Sequence, residues 1–363
     1  MKALGRRIAA LIAAQGPLSL AEFMTMALHD PAAGYYATRN PLGADFVTAP
    51  EISQMFGELI GLWLAQTWND QGKPKRPLLV ELGPGRGTLM ADALRATKRM
   101  VEFRDTLEVV LVEASPVLRK AQAETLRDCG VAVRWAANFE PANDGRPLFL
   151  IANEFFDALP IRQFVKTERG WCERMVTLDE KDALTFALAP SPAPLMPLNR
   201  DSAPSGGVYE QNAAGEAICE QIGHAIARDG GAALVIDYGY SAPGYGETLQ
   251  AVKGHAFSDV LSDPGASDLS AHVDFKALLD AARRGGAAVY GPLEQGRFLL
   301  SLGLRERAGV LSNDARARSD IATLDSVRLA VDHLVNPEQM GHLFKVLAMV
   351  PKSAPTPPGF QQC

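Results

Sequence analysis

Short apolar runs, each closed by polar or small residues, recur through the middle of the chain and predict the strands of a largely parallel α/β sheet. Longer segments with the apolar spacing of helices lie between the earlier runs. The strands predicted in this way begin at Leu78 and continue with Thr106–Glu113, Val131–Trp135, Leu148–Ala152 and Ala232–Asp237. Two later runs, Ala287–Tyr290 and Phe298–Leu302, fit a sheet that is completed by a hairpin.

The segments on either side of this sheet have different patterns. Residues 1–72 predict a helical N-terminal segment, with capping-box patterns at Ser19-x-x-Glu22 and Thr48-x-x-Glu51 ahead of apolar helical runs. Residues 73–350 would then form the sheet domain. The proline-rich end, residues 351–363, predicts a disordered tail.

A long excursion separates the fourth and fifth predicted strands, at about residues 160–207. Arg162–Lys166, Trp171–Leu178 and Ala183–Leu188 predict the short strands of a small antiparallel insertion. The segment Pro190–Gly207, rich in proline, serine and glycine, can be a plain linker. Its place over the strand tips also suits a lid.

The first predicted strand leads into a glycine-rich turn that carries the main functional signal. The sequence PLLVELGPGRGTLMADALR places Glu81 before Gly83, Gly85 and Gly87 and then continues as a helix. A dinucleotide fingerprint would need a last glycine where Thr88 stands, and no Lys-Ser/Thr pair follows to make a phosphate-binding P-loop. An acid followed by G-x-G-x-G is typical of S-adenosylmethionine-dependent methyltransferases, although a glycine turn alone can be purely structural.

The second predicted strand also ends in an acid, Glu113. An acid at this position can accept hydrogen bonds from both hydroxyls of a ribose. The alternative is that Glu113 caps the helix that starts near Pro116, a role for which Ser115 is better suited. Acids at two successive strand ends favour a nucleotide-like ligand, with Glu81 and the turn at its amino-acid end and Glu113 at its ribose.

The tip of the fourth strand combines polar and aromatic residues in the order Asn153, Glu154, Phe155, Phe156 and Asp157. Enzymes that methylate amines often have a short polar and aromatic motif here, and two close carboxylates can hold a guanidinium or ammonium in line with the methyl group. Asn153 is therefore a candidate cofactor ligand, and Glu154 and Asp157 are candidate catalytic residues. The alternative is that the two aromatic residues are core and that the acids face solvent or cap the next turn.

Three further residues are candidates on weaker grounds. Asn138, after the third strand, could bind the adenine or be an ordinary turn asparagine. His272 could act as a base or bind the substrate, and Asp274 could support it or be the N-cap of a helix beginning at Phe275. The scattered histidines do not predict a metal site.

Composition narrows the class of partner. The 363-residue chain has a formal net charge of −6, which argues against a nucleic-acid partner. Its four cysteines are far apart, which predicts neither a disulfide framework nor a zinc site, and it has no apolar run of membrane-spanning length. We therefore expect a cytoplasmic protein that is not integral to a membrane, with an oligomeric state that the sequence leaves open.

Six blocks of sequence resemble the MidA family of class I methyltransferases in order along nearly the whole chain. The matching blocks are GADFVTAPEISQMFGE (Gly43–Glu58), ELGPGRGTLMADALR, IANEFFDALP, VYEQNAAGEA (Val208–Ala217), ALVIDYGY (Ala233–Tyr240) and DLSAHVDF (Asp268–Phe275). Ala44 stands where the family often has glycine and Ser270 where threonine is usual, and neither change removes a proposed ligand contact.

The resemblance implies a Rossmann-like class I methyltransferase sheet with S-adenosylmethionine as cofactor. Mitochondrial members are protein arginine methyltransferases that act in respiratory complex I assembly, so the implied acceptor is an arginine of a protein, with a subunit of the NADH–quinone oxidoreductase as the matching target. Two alternatives stay open: a non-catalytic assembly factor that binds a partner through its N-terminal and inserted segments, and a methyltransferase for a small amine or a nucleobase.

Overall fold

The computed structural model describes residues 2–38, 48–140, 144–193, 203–242 and 244–361. Its helices, in chain order, are α1 (Ala3–Gln15), α2 (Leu20–His29), α3 (Tyr35–Thr38), α4 (Ala49–Ile52), α5 (Gln54–Asp70), α6 (Thr88–Ala96), α7 (Val101–Arg104), α8 (Pro116–Thr125), α9 (Ala213–Asp229), α10 (Phe275–Arg284), α11 (Gln295–Ser301), α12 (Leu304–Ala317), α13 (Ile321–Val335) and α14 (Met340–Leu343). Its strands are β1 (Leu18–Ser19), β2 (Leu78–Leu82), β3 (Glu108–Val112), β4 (Ala132–Ala136), β5 (Leu148–Asn153), β6 (Arg162–Thr167), β7 (Gly170–Leu178), β8 (Leu184–Leu188), β9 (Val208–Gln211), β10 (Gly231–Tyr240), β11 (Gln250–Lys253), β12 (Ala256–Ser258), β13 (Asp268–Ser270), β14 (Val273–Asp274), β15 (Ala288–Glu294) and β16 (Phe344–Val350).

Seven of the eight strands of the main sheet neighbour one another in the order β15, β16, β10, β5, β2, β3, β4. From β10 to β4 every pair is parallel, whereas β16 runs antiparallel to both β10 and β15. Every residue of β2 and of β5 is buried, as expected for parallel strands covered on both faces. The predicted α/β class is confirmed, with the insertion between its fourth and fifth strands along the chain.

The chain divides into two compact units. The sheet unit combines Val47–Phe156, Glu216–Ser241 and Asp274–Cys363, and the N-terminal unit combines Met1–Phe46, Asp157–Gly215 and Ala242–Val273. The boundary predicted at residue 72 is wrong, because α5 belongs to the sheet unit. A Cβ at Gly61 of α5 would lie 2.5 Å from Ala93 Cα, so α5 approaches α6 too closely for any larger residue.

The N-terminal unit contains the predicted antiparallel insertion, with β6, β7 and β8 at the expected places. Two strands from outside residues 160–207 join the sheet of this insertion. Leu18 of β1 pairs with Val176 of β7, and β9 pairs with β6. The predicted capping box between Ser19 and Glu22 is confirmed, with both of its hydrogen bonds present. Half of the segment interpreted as a lid (Pro190–Gly207), residues 194–202, lies outside the described residues.

Two predictions about the end of the chain are wrong. Phe298–Leu302 was expected to be a strand, but Gln295–Ser301 is helix α11, and the antiparallel strand beside β10 is β16. Gln295, Phe298 and Leu299 are buried at helical spacing, a pattern that a short apolar run shares with a strand.

The second wrong prediction concerns the tail. Its described residues, 351–361, are packed and not disordered. Phe360 is 8% exposed, its ring centroid lies 5.4 Å from that of Phe298, and Trp63 Nε1 donates a 2.9 Å hydrogen bond to Pro358 O. The polar, proline-rich composition of residues 351–363 gave no indication that Phe360 would be buried. In the described parts of the chain, no helix has both the length and the apolar character required to cross a membrane.

Candidate functional site

The carboxyl ends of β5, β2, β3 and β4 lie side by side at one edge of the main sheet. Because these strands are parallel and adjacent, the residues that follow them share that edge. Asn153, Gly83, Glu113 and Asn138 therefore come to the same edge, as the sequence predicts. Asn138 is exposed in the bend after β4, and its predicted contact with adenine stays a prediction.

The glycine turn after β2 has the backbone conformation that only glycine adopts readily. Gly83, Gly85 and Gly87 have φ values of +62°, +54° and +83°. A Cβ at Gly83 would lie 2.9 Å from the ring of Phe155, so the turn is packed directly against the tip of β5. The turn leads into α6, whose N-cap is Gly87.

Glu81, on β2 just before the turn, is a buried acid. It is 3% exposed, and burial raises the pKa of its carboxyl to about 8. Its Oε2 atom has no hydrogen-bond partner among the described residues. A buried carboxylate in this state favours a cationic ligand, because a positive charge and N–H donors would offset the cost of burying it.

Glu113 lies at the end of β3 with its carboxylate already oriented. Oε1 accepts a hydrogen bond from Ser115 N at 2.7 Å and Oε2 accepts one from Gln122 Nε2 at 3.3 Å. Ser115 is the N-cap of α8, its Oγ accepting from Leu118 N, so Glu113 is not needed for that role. A carboxylate has about four acceptor sites, which leaves Glu113 capacity for ligand hydroxyls. Burial raises its pKa.

Gln122 is a residue of this edge that sequence reasoning missed. It is fully buried on α8, where Nε2 donates to Gly85 O at 2.7 Å as well as to Glu113, and Oε1 accepts from Trp135 Nε1 at 2.8 Å. One side chain thus joins the glycine turn, the acid of β3 and strand β4. A polar residue inside a polar helix carries no sequence signal for such a role.

At the tip of β5, Glu154 has a left-handed backbone with φ +50°, which is unusual outside glycine. Its Oε1 accepts hydrogen bonds from Ala49 N at 2.9 Å and from Asn153 Nδ2 at 3.1 Å. Asn153 is 7% exposed, and its Oδ1 has no hydrogen-bond partner within the described ranges.

Asp237 on β10, which sequence reasoning also missed, fixes the turn after Glu154. It is fully buried, and its Oδ2 accepts from the backbone N–H groups of Phe155 at 3.2 Å and Phe156 at 2.9 Å. Its Oδ1 accepts from Tyr238 N at 2.9 Å. The parallel pairing of β10 with β5 brings this acid to the tip, a relationship that cannot be seen along the sequence.

The segment before α5 is joined to the glycine turn by Glu51. Thr88 Oγ1 donates to Glu51 Oε1 at 2.7 Å, and Arg86 Nη1 lies 3.5 Å from Glu51 Oε2. The capping box predicted between Thr48 and Glu51 is not formed, since Thr48 is an N-cap without a side-chain hydrogen bond. The acid is instead used to hold the first residue of α6.

Two of the predicted catalytic residues, Asp157 and His272, belong to the N-terminal unit. Asp157 is buried and accepts a 3.0 Å backbone hydrogen bond from Ala271 N. The backbone N–H of His272 donates to Thr248 Oγ1 at 2.8 Å, and burial lowers the pKa of its imidazole against the opposing effect of Glu210. A neutral imidazole suits a base, and both catalytic roles stay predictions.

Asp274 has the structural role that was its alternative interpretation. It is the N-cap of α10, and its Oδ1 accepts from Ala277 N at 3.0 Å. This hydrogen bond satisfies one of the unpaired donors of the first helical turn. Capping therefore accounts for Oδ1, and the catalytic role of Asp274 stays a prediction.

The residues of this edge fit S-adenosylmethionine. The ammonium of its amino-acid end would bring the charge and donors suited to Glu81 Oε2 and Asn153 Oδ1, the two buried acceptors described above. The glycine turn leaves room for close approach of the ligand to the backbone, and Glu113 suits the ribose hydroxyls.

Comparison with known proteins supports this assignment. Residues 59–293 match the model of a family of S-adenosyl-L-methionine-dependent methyltransferases. The mitochondrial protein arginine methyltransferase NDUFAF7 of Danio rerio is 38% identical over 96% of this chain and 87% of its own length, and that of Homo sapiens is 37% identical over 94% and 81%. The crystal structure of a COG1565 superfamily member from Burkholderia thailandensis, bound to S-adenosyl-homocysteine, is 31% identical with a TM-score of 0.82, covering 99% of this chain and 93% of that one.

A family match over more than half of the chain, with relatives above 30% identity along nearly all of it, confirms the resemblance to the MidA family. The chain therefore belongs to this family of S-adenosylmethionine-dependent methyltransferases, and S-adenosylmethionine is its cofactor.

Proposed function

We propose that this enzyme methylates an arginine side chain of a protein, and that the protein is a subunit of respiratory complex I or of the bacterial NADH–quinone oxidoreductase. The proposal is supported by the relatives that are named protein arginine methyltransferases and that align with nearly the whole chain.

The observation that carries the proposal is the packing of Phe155 against Gly83. It holds the tip of β5 against the turn assigned to the cofactor, and Glu154 is the residue immediately before Phe155. Because Glu154 directly follows β5 at this tip, its carboxylate is our candidate for contacting an acceptor group that approaches the cofactor. Asp237 fixes the same tip by binding the backbone of Phe155 and Phe156.

A guanidinium is a weak nucleophile, since its pKa of roughly 12.5–13.8 keeps it protonated with a delocalised lone pair. Glu154 would bind the group by charge-assisted hydrogen bonds and favour placement of its positive charge away from the reacting nitrogen. When bound, the cofactor supplies a methyl carbon that forms the new N–C bond as its C–S bond breaks, with the electron pair going to sulfur. The nitrogen also loses one proton, which passes to a base or to water.

In the test, the purified protein and S-adenosylmethionine with a labelled methyl group are added to a lysate of cells that lack this protein. We expect one labelled protein band, and mass spectrometry should find monomethyl- or dimethylarginine in a subunit of the NADH–quinone oxidoreductase. Purified oxidoreductase from the same cells should be labelled in the same residue.

The Glu113→Ala variant, which lacks the proposed ribose ligand, is the control and should leave the lysate unlabelled. Label in small amines, and not in protein, would support the alternative of a small-amine methyltransferase and would contradict the proposal. Label in lysine, or in an unrelated protein only, would end the part that names the acceptor.

A further inference from the structure

Gln122 uses each polar atom of its side chain to connect a different part of the sheet edge. Its two N–H groups are directed to Gly85 O and Glu113 Oε2, and its carbonyl oxygen accepts from the indole of Trp135. The side chain is fully buried, so water does not replace these partners. The bond to Gly85 is the shortest of the three, at 2.7 Å.

The backbone hydrogen bond from Gly83 N to Val112 O, at 3.1 Å, joins the turn to β3 before the chain reaches either acceptor. Gly85 is in the middle of the glycine turn, with φ +54°, and Glu113 follows the last paired residue of β3. Between them the only element with a side chain on both is α8, through Gln122, within the described residues. The amide group of Gln122 therefore connects the carbonyl of Gly85 to the carboxylate of Glu113, whose other oxygen accepts from Ser115 N.

We propose that Gln122 is the positioning residue of the cofactor site, holding the glycine turn and the carboxylate of Glu113 in their binding geometry before the cofactor arrives. The inference rests on the turn and Glu113 as cofactor ligands and is independent of the acceptor. A turn that is already ordered binds the cofactor more tightly, because no binding free energy is lost in ordering it. Gln122 itself need not touch the cofactor.

The test compares a variant that lacks all three hydrogen bonds of the Gln122 amide with a variant that lacks only the bond to Trp135. Gln122→Met keeps the length of the side chain and its helix propensity but donates to neither Gly85 nor Glu113. Trp135→Phe removes only the bond from Trp135 to Gln122. Binding of S-adenosylhomocysteine is measured by calorimetry, and amide hydrogen exchange of residues 83–88 is measured without ligand.

We expect Gln122→Met to weaken binding at least about tenfold, the size of one or two lost buried hydrogen bonds, and to speed amide exchange in the turn. Trp135→Phe should bind within about threefold of the wild type, because both donations to the site remain. At saturating cofactor the methyl-transfer rate constant of Gln122→Met should approach that of the wild type, since the loss lies in affinity.

Wild-type affinity in Gln122→Met would overturn the inference. So would weaker binding without faster exchange, which would mean that Gln122 contacts the cofactor directly. If Gln122→Met does not fold, Gln122→Leu serves instead, since its side chain also donates to neither Gly85 nor Glu113; unchanged binding in that variant would be equally decisive. Normal binding in Glu113→Ala would show that the premise, and not the proposed acceptor, is at fault.

Discussion

The carboxylate of Glu154 accepts a hydrogen bond from the backbone N–H of Ala49, with 2.9 Å between Oε1 and the nitrogen. This bond joins the tip of β5 to the first residue of α4. Glu154 therefore has two tasks in our interpretation: its oxygen holds this segment, and its charge holds the acceptor. The two tasks can be separated by substitutions that remove the charge and keep the oxygen.

Glu154→Gln should lower methyl transfer at least about a hundredfold, the low end of what acid–base and charge-positioning groups contribute. Cofactor affinity should stay nearly unchanged, because the amide oxygen can still accept from Ala49. Single-turnover transfer and calorimetry measure the two effects. Activity within a few-fold of the wild type would show that the acceptor docks elsewhere.

Gly85→Val should abolish cofactor binding. The new side chain would project where the ligand approaches the turn, and φ +54° is unfavourable for a β-branched residue. Gly230→Val is the matched control, since Gly230 has φ +84°, has no atom within 4 Å of the position that a Cβ would take, and precedes β10 at the opposite edge of the sheet. A Gly85→Val protein that folds and binds S-adenosylhomocysteine normally would exclude the turn as the site.

Binding of the cofactor should release a proton from Glu81. The pKa of about 8 in the free protein means that Glu81 is largely protonated at neutral pH, whereas a bound ammonium favours the carboxylate. Affinity should therefore rise with pH up to about 8 and then level off. Calorimetry in buffers of different ionisation enthalpy measures the released proton, and Glu81→Gln should remove both the release and the pH dependence.

The same group has a defined effect on stability without ligand. Its pKa is higher in the folded protein than the ordinary value of 4.5, so the folded state binds more protons between pH 4.5 and about 8. The share of the free energy of unfolding due to Glu81 should fall as pH rises through this window. Urea unfolding of Glu81→Gln, set against the wild type at each pH, should show a smaller fall; parallel curves would contradict the shifted pKa.

Asp274→Ala should cost about 0.5–2 kcal/mol of stability, the usual effect of losing an N-cap. Methyl transfer, measured well below the unfolding temperature, should stay within a few-fold of the wild type. Asp274→Asn keeps a capping oxygen and should be close to the wild type in both respects. A large loss of transfer in a stable Asp274→Asn protein would instead support the predicted catalytic role.

The sequence predicts those parts of the molecule that depend on neighbours along the chain. Strand β2, its glycine turn and helix α6 are contiguous, so Glu81 and the three glycines can be recognised from spacing alone. Ser115 follows Glu113 closely, so the sequence could also favour the serine as the cap. The site edge is predictable because successive parallel strands must end on the same side.

What the sequence could not supply depends on pairing between distant segments. Asp237 reaches the tip of β5 only because β10 lies beside β5, and Gln122 reaches Gly85 only because α8 packs near the turn. The boundary of the N-terminal unit is hidden for the same reason, since Leu18 pairs with Val176, far away along the chain. The prediction for Phe298–Leu302 was wrong for another reason: so short an apolar run fits the spacing of a helix as well as that of a strand.

The burial of Phe360 determines where the folded part of the chain can be shortened. Its ring covers Phe298 and lies 6.4 Å from the ring of Tyr290, and the carbonyl of Pro358 holds the indole of Trp63. A chain cut after Val350 would leave these aromatic faces in water, at a cost on the order of 1.5–3 kcal/mol for the lost phenylalanine alone. Such a shortened protein should unfold at a lower temperature and self-associate through the uncovered rings, so a purification tag is better placed beyond Phe360 than in place of it.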